Sequence, residues 1–162
     1  MIIVINKEEI LMPNQVEPKL IKALYDELQK ERFVTLATVD FENGGPNVSS
    51  ISWILAKNEE TIYFAVDNRS RIIQNIKHNS NVVVNLIANE STYSISGIAS
   101  LKVEKLNEVP LKLALVEINI KEVRDVMFYG SKITVEPQYD KTYDKDAAAR
   151  LDKQVMDAMR KA

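Results

Sequence analysis

From Phe33 to about Val123 the chain is a succession of short stretches rich in Val, Ile, Thr, Tyr and Ser, parted by polar turns. That pattern predicts strands over residues 33–40, 47–56, 61–67, 81–88, 92–104 and 113 to about 123. The Asn43-Gly44 step between the first two supplies the positive φ of a hairpin turn, and residues 57–60 form a second polar turn. In the long fifth strand Tyr93, Ile95, Gly97, Ala99, Leu101 and Val103 fall on one face, with Gly97 marking a bend or bulge. So many strands in a small chain must manage their open edges. The economical solution is a mainly β, six-stranded antiparallel barrel that is closed or nearly so.

Helices are peripheral. Leu20, Ile21, Leu24 and Leu28 recur at helical spacing behind Pro18, predicting a helix over 17–31. Ile72, Ile73 and Ile76 predict a short helix over 71–79, and Ala148, Leu151, Val155 and Met159 a C-terminal one over 144–161. Residues 131–143 read as loop. No linker or repeat divides the chain, so residues 1–162 are expected to form a single domain.

Composition removes several chemistries. There is no cysteine and one histidine, His78, which excludes thiolate nucleophiles and Cys/His zinc sets and leaves a Ser-His dyad only through His78. With 21 Lys plus Arg against 23 Asp plus Glu, no basic field favours nucleic acid. The apolar runs 1–5 and 82–87 fall well short of the roughly 20 residues needed to cross a bilayer. Met1–Ile5 lacks the basic residues of a secretory leader, so no membrane role and a cytoplasmic location are expected. No acidic cluster carries a metal-ligand pattern.

Two stretches carry possible chemistry. Asp67-Asn68-Arg69-Ser70-Arg71 lies where a strand gives way to a helix, and free N–H groups, a hydroxyl and two guanidinium groups there suit a phosphate. The same residues equally suit a helix cap at Asn68 or Ser70 with solvated arginines. In Asn47-Val48-Ser49-Ser50-Ile51-Ser52-Trp53, Ser50 and Ser52 share one face and Ile51 and Trp53 the other. That arrangement suits a flat heteroaromatic ligand, and also an ordinary barrel strand with Trp53 in the core or at a dimer contact. His78, at a helix end, reads as structural or surface.

The order of these pieces is more specific than any of them. The first helix, Phe33-Val34-Thr35-Leu36-Ala37-Thr38-Val39-Asp40, the Gly44-Gly45-Pro46-Asn47-Val48-Ser49 hairpin, and Ile62-Tyr63-Phe64-Ala65 leading into Asn68-Arg69-Ser70-Arg71 resemble the pyridoxamine 5′-phosphate oxidase-like family of FMN-binding split barrels. Residues 76–82, 96–99 and 123–130 continue the resemblance. It implies a six-stranded antiparallel split β-barrel and a homodimer with FMN at the subunit interface. It also places Ser70 and Arg71, with Arg69, on the FMN phosphate, and Ser49, Ser50, Ile51 and Ser52 beside the isoalloxazine. Trp53 falls near the ring or interface, and Lys77 is a further phosphate or ribityl candidate. The Arg-x-His element by which true pyridoxamine phosphate oxidases hold substrate is missing from the C-terminus. The expectation is therefore an FMN oxidoreductase passing hydride or electrons between NADH or NADPH and a small acceptor. The alternatives are a non-catalytic flavin-binding or storage dimer, or a split barrel that takes deazaflavin or haem.

Overall fold

A computed structural model describes residues 16–162. The apolar run at residues 1–5 lies outside the described residues. Eight strand segments and three helices follow in the order β1 (Val16–Glu17), α1 (Lys22–Glu27), β2 (Val34–Val39), β3 (Pro46–Ile51), β4 (Ile54–Ala56), β5 (Thr61–Asp67), α2 (Arg71–His78), β6 (Asn81–Ala88), β7 (Ser91–Val103), β8 (Leu113–Asp125) and α3 (Lys145–Lys161).

All strand pairs are antiparallel, and the sheet runs β3-β2-β6-β7-β8-β5-β4. Its two end strands, β3 and β4, are neighbours in the chain, joined only by Ser52 and Trp53. The sheet therefore curls until its ends meet at a two-residue link. Main-chain bonds fix that link: Arg32 N–H donates to Ser52 O at 3.0 Å and Ala65 N–H to Trp53 O at 3.0 Å. The long β8 takes β7 along one edge, and β5 and then β1 along the other.

Alternation along the strands fills the interior with Leu36, Phe64, Val84, Leu86, Ile95, Val116 and Ile118, and α1 and α2 add Leu24, Ile72, Ile73 and Ile76. A second apolar cluster lies between α3 and the strands β4, β5 and β8, where Val155, Met156 and Met159 cover Leu55, Tyr63 and Leu115.

Three expectations need correction. The strand expected over 47–56 is broken at Ser52–Trp53, because one straight strand could not pair at both ends of a curled sheet. With β1 added, the six expected strands become eight segments among the described residues. The helix expected over 17–31 is only Lys22–Glu27. Pro18 biases Glu17 towards extended backbone, where it pairs with Val123. At the other end the Leu28 carbonyl accepts from Ala56 N–H at 2.9 Å, while Arg32 N–H turns to Ser52. By contrast, Gly97 does sit at a shift in the β7–β8 register, and a side chain there would collide with the Asn119 carbonyl. A further shift between Leu101 and Val103 moves Val103 from the barrel interior to the cluster under α3.

Candidate cofactor site

The β2–β3 hairpin closes through Gly44, at φ +74°, and through Asp40, whose Oδ1 accepts from Glu42 N–H at 2.8 Å and Asn43 N–H at 3.1 Å. The same carboxylate takes Arg71 in a two-point contact, Nε to Oδ2 at 2.9 Å and Nη2 to Oδ1 at 3.1 Å. The Glu42 N–H, then the Arg71 guanidinium, hold the Asp40 carboxyl below the usual carboxylate range against the opposing effect of burial. Phe41 lies under the guanidinium, 4.7 Å from ring centre to Cζ.

A second tie joins hairpin and helix. Asn75, 1% exposed, accepts from Phe41 N–H at 2.9 Å and donates to Thr38 Oγ1 and Asn47 Oδ1, each at 2.9 Å. Every polar atom of this amide is satisfied, as a buried amide requires.

Ser70 caps α2, its Oγ accepting from Ile72 N–H at 3.0 Å. Between that helix start and β3 lies a cleft of about 380 Å³ lined by Asn47, Ser49, Ser70, Arg71 and Asn75, among others. The two stretches singled out in the sequence thus meet here through Ser49, Ser70 and Arg71. Arg71 is half exposed, and its Nη1 has no protein acceptor among the described residues.

The other candidates lie elsewhere. Ser50, opposite Thr35, is exposed on the other face of β3, and Ile51 packs against the core. Arg69 is exposed and paired with Asp67 at 3.3 Å. Lys77 is exposed in the last turn of α2, about 9 Å along the axis from Arg71. His78 is exposed beside the Phe41 ring.

Ser52 and Trp53 belong to a separate polar cluster. Ser52 Oγ donates to Glu31 Oε2 at 2.7 Å and Trp53 Nε1 to Asp152 Oδ1 at 2.8 Å. Lys141 bridges the two carboxylates, 2.6 Å from Glu31 and 3.1 Å from Asp152. Burial draws its pKa down, but its hydrogen bonds and charge attraction to Glu31 and Asp152 outweigh this and raise it above the ordinary lysine value.

Asp40 and Asn75 were not among the sequence candidates, and Asn47 was named only as the start of its stretch. Asn75 left one trace, an amide within the apolar stripe of Ile72, Ile73 and Ile76. Asp40 reads locally as a turn residue, and nothing near it announces Arg71.

The family model for pyridoxamine 5′-phosphate oxidase matches residues 20–127. The chain belongs to the pyridoxamine 5′-phosphate oxidase-like split-barrel family. Among solved structures, it is similar to general stress protein 26 of Bacillus anthracis, at 22% identity and TM-score 0.51, covering 61% of this chain and 87% of that one. A Lactobacillus delbrueckii protein, provisionally named a pyridoxamine 5′-phosphate oxidase, matches at 20% identity and TM-score 0.59, over 69% of this chain and 98% of its own. A structure named F420 reductase matches at 17% identity and TM-score 0.53, over 63% and 96%. At these identities the likenesses speak for the fold alone. No curated protein matches the chain. The family is typically flavin-binding. No helix among the described residues is long and apolar enough to cross a membrane.

Proposed function

We propose that the protein is a cytoplasmic FMN-dependent oxidoreductase that passes hydride or electrons between NADH or NADPH and a small acceptor. The observation that carries this reading is the convergence of Ser49, Ser70 and Arg71 on one cleft at the start of α2 in a chain of this family.

The donor set fits a flavin mononucleotide. Arg71 brings positive charge, a spare guanidinium N–H and its own main-chain N–H, Ser70 a hydroxyl proton, and the start of α2 a favourable dipole for a phosphate; the Ile72 and Ile73 N–H groups are already taken by Ser70. Arg69 joins them if its weak exposed pairing with Asp67 opens. Strand β3 ends the sheet, so the main-chain groups on its outer edge have no strand partner among the described residues. Such an edge suits the polar rim of an isoalloxazine, which would run past Ser49, Ser50, Ile51 and Ser52 towards Trp53.

Bound flavin supplies the hydride and electron chemistry. The chain's part is to bind and orient. Asp40 and Phe41 fix the plane of Arg71, Asn75 holds α2 against the hairpin, and Ser49 offers a hydroxyl from the facing wall. Lys77 remains a weaker ribityl or phosphate candidate.

A second copy of the chain would complete the site. Val39, Val83 and Ile98 form a half-exposed apolar groove on the outer face of β2, β6 and β7, and Phe128 and Tyr129 are largely exposed beyond β8. These surfaces support a homodimer with the cofactor at its interface.

One observation favours a non-catalytic flavin-binding or storage protein: among the described residues the one charged side chain lining the cleft, Arg71, is already paired with Asp40 at 2.9 Å and lies 3.6 Å from Glu42. Turnover of NADH or NADPH by FMN-loaded protein across an acceptor panel separates the two readings. Parallel titration with a deazaflavin tests the alternative cofactor.

A further inference from the structure

The family match ends at residue 127, and residues 128–162 then return across the barrel to the link between β3 and β4. Tyr139, Lys141 and Asp152 reach the polar cluster around it. Lys141, from the loop before α3, sits on Glu31, and Asp152, on α3, receives both Lys141 and the indole N–H of Trp53. Glu31 in turn accepts from Ser52 Oγ at 2.7 Å and from the Tyr139 hydroxyl at 3.1 Å.

The three charged side chains are 25%, 17% and 17% exposed for Lys141, Glu31 and Asp152. One ammonium thus neutralises two carboxylates held close together in a partly buried setting. Without it the carboxylates would repel each other, and the acceptors that hold Ser52 and Trp53 would move apart.

We infer that the C-terminal segment is a clamp that positions the Ser52–Trp53 link, with Lys141 as its positioning residue. The link is the only covalent connection between β3, which forms one wall of the cofactor cleft, and β4. Pairing to β2 holds the length of β3, and the conformation of the link bears on the end of its outer edge, next to Ile51. The consequence for FMN rests on the function proposed above; the consequence for Trp53 does not.

Trp53 is the only tryptophan in the chain, so its emission reports on the clamp directly. The experiment records emission and acrylamide quenching of the flavin-free full chain as wild type, Lys141→Met, Lys141→Arg and Asp152→Asn. Lys141→Met shifts the emission to longer wavelength and raises quenching, and Lys141→Arg restores most of the wild-type signal. Asp152→Asn keeps an acceptor for the indole while weakening the hold of Lys141, so it gives an intermediate change and serves if Lys141→Met does not fold. FMN titration of the same proteins shows affinity weakened about fivefold in Lys141→Met, the low end of coupling between sites. Emission and quenching unchanged from wild type in a folded variant would overturn the clamp. If wild type retains no FMN, the flavin reading falls while the tryptophan result still decides this one.

Discussion

The two ends of β3 carry polar clusters built from similar parts and arranged for different tasks. At the hairpin end, Arg71 pairs with Asp40 but stays half exposed, keeps a spare donor and faces a cleft. At the link end, Lys141 is held by two carboxylates whose oxygens also accept from Ser52, Trp53 and Tyr139. An ion pair with donors left over can bind an anion. One whose partners are already engaged can only hold structure. The first cluster lies within the segment matched by the family model, while the second draws Tyr139, Lys141 and Asp152 from beyond it.

The largest effect that would sharpen this contrast is on the cleft. Ser70→Ala with Arg71→Ala should weaken FMN binding by well over tenfold in a fluorescence titration, because each hydrogen bond to a charged phosphate is worth about 1.5–3 kcal/mol. Unchanged affinity would mean that the hairpin end, too, is only structural. Next comes Asn75→Ala, which strands the partly buried Phe41 N–H and removes the contacts to Thr38 and Asn47. It should cost about 2–3 kcal/mol in urea unfolding, and a loss below about 0.5 kcal/mol would show that the hairpin does not depend on α2.

Acid should act on Asp40. Its folded pKa is depressed, so its contribution to stability is complete above the unfolded value of about 3.9 and fades as pH falls through the lower folded value. Asp40→Asn should therefore flatten the loss of stability between neutral pH and pH about 2, measured by thermal melts across that range. An equally steep acid limb in the variant would remove Asp40 from the account. The smallest effect is assigned to Lys77→Ala. Exposed at the far end of α2, it should leave FMN affinity within about twofold and stability within about 0.5 kcal/mol.

Much of the fold could be read locally. Helix α3 is capped by Asp144, whose Oδ1 accepts from Ala147 N–H at 2.8 Å, and the positive φ of the hairpin turn falls on Gly44. Helix α2 and the bulge at Gly97 likewise follow from residues within a few positions. The break between β3 and β4 was not legible, because no Gly or Pro marks Ser52–Trp53 and the bend is imposed by closure of the whole sheet. Helix α1 ends early for a similar reason: the Leu28 carbonyl is captured by Ala56, far along the chain.

The candidate site divides in the same way. Ser49, Ser70 and Arg71 were visible as residue types, but their meeting depends on α2 docking against the hairpin. Asp40 lies 31 residues from Arg71, and Trp53 lies 99 from Asp152, distances over which local pattern carries no information. The resemblance to the family narrowed what a cleft there would bind. It said nothing of the clamp, since the residues that form it from the C-terminal side lie beyond the part of the chain that carries the resemblance.

Whether the cleft holds a flavin is decided by the visible absorption spectrum after adding FMN and desalting. Wild type should keep a flavin spectrum and the Ser70→Ala, Arg71→Ala protein should lose it. No flavin retained by wild type, or equal retention by both proteins, would contradict the assignment of the cleft.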